Sequence, residues 1–146
     1  MSHRHLRLSI PQVLLNRMSE LAQQAHPAEV VGLLGGRAGH ARSIYPLTNR
    51  AVAGRFFADP YEQYLAETQI ARAGEQVLAT FHSHPEGPAE LSLEDIRFVF
   101  EVAPIAIVVA AGARVACDMN AYERQADGTV LAVEIVESTL PRTKRR

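Results

Sequence analysis

The chain has 146 residues, 47% of them hydrophobic, with 15 Lys and Arg against 16 Asp and Glu. That length fits one domain able to bury a core without disulfide staples. A formal charge of −1 gives no general reason to expect nucleic acid or an anionic membrane as partner. The exception is 141-PRTKRR-146, with four cations in six residues. It reads as a disordered, solvated tail after a domain over residues 1–140. Cys117 is the only cysteine, so no intrachain disulfide can form, and it reads as a buried core residue. The opening 1-MSHRHLRLSI-10 lacks the apolar run of a signal peptide. No stretch approaches the roughly 20 apolar residues that cross a bilayer. These features lead to the expectation of a cytoplasmic protein with a reduced thiol.

Residues 6-LRLS-9 suit a short strand. In 11-PQVLLNRMSELAQQA-25, Leu14, Met18, Leu21 and Ala25 recur at helical spacing, and Pro11 suits a first turn. The helix should stop before 26-HP-27, because a residue preceding proline avoids the helical region. The run 29-EVVGLLGG-36 reads as a buried strand, with 40-HARSIYPL-47 as its hairpin partner and Gly39 in the turn. Residues 48-TNRAVAGRFFA-58 are irregular and read as surface-lying. Asp59 is placed to cap a helix, Pro60 fits its first position, and Glu62 completes a capping box. Tyr61, Tyr64, Leu65 and Thr68 share one face of that helix, and Gly74 ends it. A strand over 76-QVLATFHSH-84 and a helix over 93–102 follow. The last strands are 105-IAIVVAA-111, 114-RVACDMNAYER-124 and 129-TVLAVEIVE-137, with turns at Gly112 and 127-DG-128. Strands and helices are interspersed but several strands meet in tight turns, which predicts an α/β fold with a mixed sheet.

His82 and His84 stand two apart on a predicted strand, so their side chains share a face. Two imidazoles aimed at one point suit a metal ion such as zinc. The bland alternative is a pair of histidines merely hydrogen-bonded at a strand end. The same spacing in 3-HRH-5 reads as a terminus without function. Ser92 and Asp95 form a Ser-x-x-Asp start to the next helix, which by itself reads as an N-cap with an acid in the first turn. Capping would also aim Asp95 out of that turn, where it could complete a set of two histidines and one carboxylate. Three protein ligands and one water make a catalytic zinc site. Glu29, at the mouth of a core strand, is a candidate for the base; acids there are commonly just solvated.

Taken together, Glu29 ahead of Gly-Leu-Leu-x-Gly, then 82-HSHP-85, six residues, and Ser92-x-x-Asp95 resemble the JAMM (MPN-plus) metalloproteases. The flanks 27-PAEVVGLLGG-36, 46-PLTN-49 and 56-FFADPYEQY-64 look like the short prokaryotic branch, and the likeness runs from about residue 6 to 136. The resemblance implies a mixed, curved sheet flanked by helices, of cytidine deaminase-like architecture. It implies one zinc ion held by His82, His84 and Asp95, with Glu29 as general base and then acid. Ser92 would hydrogen-bond the oxyanion or position the water. Cys117 is not needed as a nucleophile.

The substrates implied are ubiquitin-like proteins, here small sulfur carriers ending in Gly-Gly, cut at the amide after the glycines. Arg50 and Arg55 are candidate cations along the substrate groove, with ordinary solvation as the alternative. Exposed strand edges in such a sheet would be compatible with a homodimer. Two other readings stay open: a zinc hydrolase of a small amide or general peptide, and a non-catalytic MPN-type module that binds partners.

Overall fold

The computed structural model describes residues 6–51, 57–111 and 118–139. Its elements are β1 (Arg7–Pro11), α1 (Gln12–Ala25), β2 (Val31–Arg37), β3 (His40–Leu47), α2 (Pro60–Arg72), β4 (Gln76–His84), α3 (Leu93–Phe98), β5 (Ile105–Ala110), β6 (Asp118–Arg124) and β7 (Val130–Ser138). Cys117, Arg55 and the basic tail lie outside the described residues.

α1 buries Leu14, Met18 and Ala22, three positions four apart on one stripe. Pro11 closes β1 and stands as the cap of α1 instead of taking its first helical place. β2 and β3 pair from Val31↔Leu47 to Arg37↔His40. Ala38 (φ 49°) and Gly39 (φ 74°) make their turn in the left-handed region that glycine enters freely.

Asp59 caps α2 by accepting the Glu62 N–H at 2.9 Å. Glu62 does not close the expected box. Its Oε1 accepts from Thr48 N–H at 2.9 Å, while Asp59 N–H donates to the Thr48 carbonyl at 2.9 Å. The cap therefore ties α2 to the end of β3. The helix packs through Ala66 and Ile70 on Val31, Leu33 and Leu47. Its tyrosine face turns outward, with Tyr61 69% and Tyr64 64% exposed. A small Ala66 lets the helix come close to the sheet, and the larger aromatic side chains stay outside.

The sheet is mixed, as expected, but not open. Its strand order β1-β3-β2-β4-β5-β6-β7 closes into a barrel. β1 lies parallel to β7 from Arg7↔Glu134 to Pro11↔Ser138. It also meets β3 at Ser9↔His40, with Ser9 N–H donating to the Gly39 carbonyl at 2.8 Å. The curved sheet implied by the resemblance closes on itself here because the short first strand has a partner on each side, both distant in sequence. Ser9↔His40 is the one β1–β3 pair among the described residues, so closure shortens the free edge of β3 without removing it.

One core cluster joins Leu14, Met18 and Ala22 of α1 to Leu8, Phe81 and Ile107 of the strands. A smaller one lies under α2. β2 sends Leu34 to the first and Val31 and Leu33 to the second, which is why its sequence is a continuous apolar run. Gly32 is required there, because the Phe81 ring fills the space a Cβ would need. α3 stops at Phe98, short of the expected 102, and passes through turns to Ala103 ahead of Pro104. Among the described residues, no helix is long and apolar enough to cross a membrane.

Candidate active site

β4 supplies the two histidines on the face turned toward α2, while Phe81 joins the larger core. The antiparallel register pairs Val31 with His82. Carried two places further, it sets Glu29 opposite His84. The start of α3 brings in the carboxylate. Ser92 Oγ accepts from Asp95 N–H at 3.0 Å, and Asp95 Oδ2 accepts from Ser92 N–H at 3.0 Å. This reciprocal box turns Asp95 back toward β4.

Asp95 Oδ2 then lies 3.0 Å from His84 Nε2 and 3.2 Å from His82 Nε2, and the two Nε2 atoms are 3.2 Å apart. Tetrahedral bonds of about 2.0–2.1 Å place ligands about 3.3 Å from one another. The triangle is thus one face of a tetrahedron of the right size, made of two imidazole nitrogens and a carboxylate oxygen. His82 is buried and the His84 side chain 16% exposed, so the centre is closed beneath and open above.

The charges agree with that use. Burial alone would raise Asp95; hydrogen bonds from His82 and His84 outweigh it and hold the carboxyl well below the usual range. The Asp95 hydrogen bond raises His84 above its ordinary 6.5. Burial pushes Glu29 above 4.5, against the pull of His82 and His84. Its Oε2 is buried with no hydrogen-bond partner among the described residues, which leaves that oxygen ready to accept a proton.

The cleft above the centre measures about 910 Å³ and is lined by Glu29, His82, His84, Ser92 and Asp95 together. Phe57 and Tyr64 form an apolar lip on its α2 side. Arg50 does not line it: its Nε pairs with Asp59 Oδ2 at 2.8 Å, at the start of α2.

Sequence reasoning missed the residues behind this centre. His84 Nδ1 lies 3.1 Å from the Pro88 carbonyl. A carbonyl only accepts, so Nδ1 carries a proton there; Nε2, which donates to Asp95 in the metal-free chain, is then the nitrogen that would give up its proton to hold a metal. That loop is held in turn by Asn120 Nδ2 and Tyr122 Oη, which both donate to the Ala89 carbonyl at 2.9 Å. Alternating polar residues in β6 were the only signal, and nothing local says what they face. Ser83, between the two histidines, is fully buried. Its Oγ accepts from Val30 N–H at 2.8 Å and its N–H donates to the Val30 carbonyl at 3.0 Å. Ser83→Ala leaves a buried N–H unsatisfied and should cost about 1–3 kcal/mol; chemical denaturation of the metal-free chain at unchanged midpoint would deny Ser83 that role.

Such a fold and such a site define a class: a small mixed α/β domain with a His, His, Asp group that could hold a metal ion. More specifically, residues 11–125 match the model of the prokaryotic homologs of the JAB domain, and the chain belongs to that family. It is 35% identical over 92 residues to a probable TtuB-protein conjugate cleaving protease of Thermus thermophilus, a match spanning 62% of each chain. Among solved structures, a protein of Desulfitobacterium hafniense superposes with a TM-score of 0.79 at 31% identity, over 91% of this chain and 94% of the other. A JAB1/MPN domain protein of Archaeoglobus fulgidus gives 0.57 at 24% identity, over 89% and 97%. A structure described as a metalloprotease-like JAMM zinc site of the proteasome and signalosome gives 0.58 at 23%, over 90% and 99%. These last two likenesses bear on the fold.

Proposed function

We propose that the chain is a zinc-dependent peptidase or isopeptidase that cuts the amide after the C-terminal Gly-Gly of a ubiquitin-like or sulfur-carrier protein. The observation that carries this reading is the triangle of Nε2, Nε2 and Oδ2, with edges of 3.0–3.2 Å, beside the buried Glu29 carboxyl. The name borne by the Thermus thermophilus relative supports the choice of substrate class. His82, His84 and Asp95 would hold the ion. A bound zinc supplies Lewis acidity, which lowers the pKa of a coordinated water to about 7.

The remaining chemistry belongs to side chains. Glu29 takes the proton from the attacking water, and the raised affinity of its buried carboxyl for protons suits that step. It then returns the proton to the leaving amine. Ser92 Oγ uses a lone pair to cap Asp95 N–H, which leaves its hydroxyl proton free to donate to the oxygen that gains charge. A Gly-Gly tail has no side chains to obstruct a narrow cleft. The tail is read as lying extended along that cleft, adding main-chain hydrogen bonds as an extra strand. A cytoplasmic setting belongs to the same proposal, motivated by the lone Cys117.

The test is zinc analysis of the purified chain, followed by an assay of a Gly-Gly carrier fusion against an unrelated peptide. Cleavage of the fusion alone supports the reading. Equal cleavage of both makes the chain a general zinc peptidase, and absence of stoichiometric zinc even after loading favours a binding module. Ser92→Ala should keep zinc yet lower turnover about 10²–10³-fold, alongside about 1 kcal/mol of lost cap stability. Normal turnover with only the stability loss would make Ser92 purely structural.

A further inference from the structure

Glu29 stands just outside the sheet, since β2 begins at Val31. Strand pairing alone therefore does not hold its backbone. The peptide unit joining Glu29 to Val30 is held at both ends by side chains. Its N–H donates to Ser83 Oγ at 2.8 Å, on the strand that carries the histidines. Its carbonyl accepts from Asn49 Nδ2 at 3.0 Å. Asn49 is opposite Glu29 because the Val31↔Leu47 pairing continues two places beyond β3.

The other end of the same amide organises the cleft wall. Asn49 Oδ1 accepts from Ala51 N–H at 3.0 Å and from Phe57 N–H at 2.9 Å. Arg50 N–H donates to the Phe57 carbonyl at 2.7 Å, and Asn49 bridges Ala58. Ala51, Phe57 and Ala58 all line the cleft. One side chain thus grips the backbone of the acid with its donor and the substrate wall with its acceptor.

We propose that Asn49 is a positioning residue for Glu29, coupling the wall formed by Ala51, Phe57 and Ala58 to the placement of the base. The proposal rests on the reading of Glu29 as that base. A peptide unit is planar and rigid and contains the Cα of its first residue, so fixing both its ends fixes the point from which the Glu29 side chain leaves. Displacement of a catalytic group by about 1 Å can cost on the order of 10² in rate, which makes a rigid mount consequential.

Asn49→Asp separates the two functions. It keeps an acceptor for the Ala51 and Phe57 amides but turns an acceptor, in place of a donor, toward the Glu29 carbonyl. The expected result is a fall in kcat of about tenfold, with KM within about twofold and zinc content unchanged. In the metal-free protein, hydrogen exchange at the Val30 amide should quicken by about fivefold or more as its peptide unit loosens. Asn49→Ala removes both grips and should also raise KM.

Wild-type kcat in Asn49→Asp, or unaltered Val30 exchange, overturns the proposal. Should Asn49→Asp fail to fold, wild-type kcat in Asn49→Ala overturns it instead. Wild type and Glu29→Gln are assayed beside them. An inert wild type or a fully active Glu29→Gln removes the base assignment and this role with it, whereas an active wild type beside an unaffected Asn49→Asp removes Asn49 alone.

Discussion

Glu29→Gln lowers kcat by about 10²–10⁴-fold, the range for loss of a positioned general acid–base group, while the chain keeps its metal. The substitution preserves the shape of the side chain and its place opposite His84. It removes the ability to hold a proton between the attacking water and the leaving amine. Glu29 touches the cleft but is not part of the triangle of His82, His84 and Asp95, so zinc stoichiometry should match that of the unaltered chain. Single-turnover kinetics on the carrier fusion, with metal content measured on the same sample, check both halves. Full turnover would refute the base assignment, and loss of zinc would move Glu29 into the ligand set.

His84→Ala should abolish tight zinc binding, and activity with it. The outer-shell partners of a metal site cost about 10–100-fold in affinity when removed, and a direct ligand costs more. The loss leaves His82 and Asp95 with one corner of the triangle empty. Equilibrium zinc titration against a competing chelator reads the change; ordinary affinity would strike His84 from the ligands.

The pH dependence follows from the same group. The Asp95 hydrogen bond raises His84 above 6.5, so protons begin to compete with zinc from pH values above 6.5 downward, and affinity falls as the solution is acidified. For the metal-free chain the sign is opposite. A folded-state pKa raised above the unfolded value contributes stability that is full below about 6.5 and is lost as pH rises through the folded value. Asp95, held below its usual 3.8, contributes stability that is present above that value and lost as pH falls through the depressed one. The gap in Tm between zinc-loaded and metal-free protein should therefore widen from pH 6 to pH 8. A constant gap would mean that His84 does not titrate against the ion.

Local grammar made much of this chain readable. Helix α1 follows from apolar residues at helical spacing and from 26-HP-27, and the start of α2 from Asp59-Pro60. Ser92 and Asp95 were legible as a cap because capping is decided within four residues. The helical period of α2 did not say which face is buried. Tyr61 and Tyr64 repeat as regularly as Ala66 and Ile70, and only the sheet beneath chose the smaller pair.

Sequence alone determined which chemistry-bearing residues exist and how each is locally aimed: two imidazoles on one strand face, a carboxylate on a capped first turn, an acid before an apolar strand. It did not determine that they meet. Closure through Arg7↔Glu134, the register that sets Glu29 against His84, and the holds by Ser83, Asn49 and Tyr122 join segments distant along the chain. Short-range signals arise from backbone sterics and periodicity within a few residues. Long-range pairing is chosen by burial and hydrogen-bond satisfaction across the whole domain, which becomes definite when all the strands are in place.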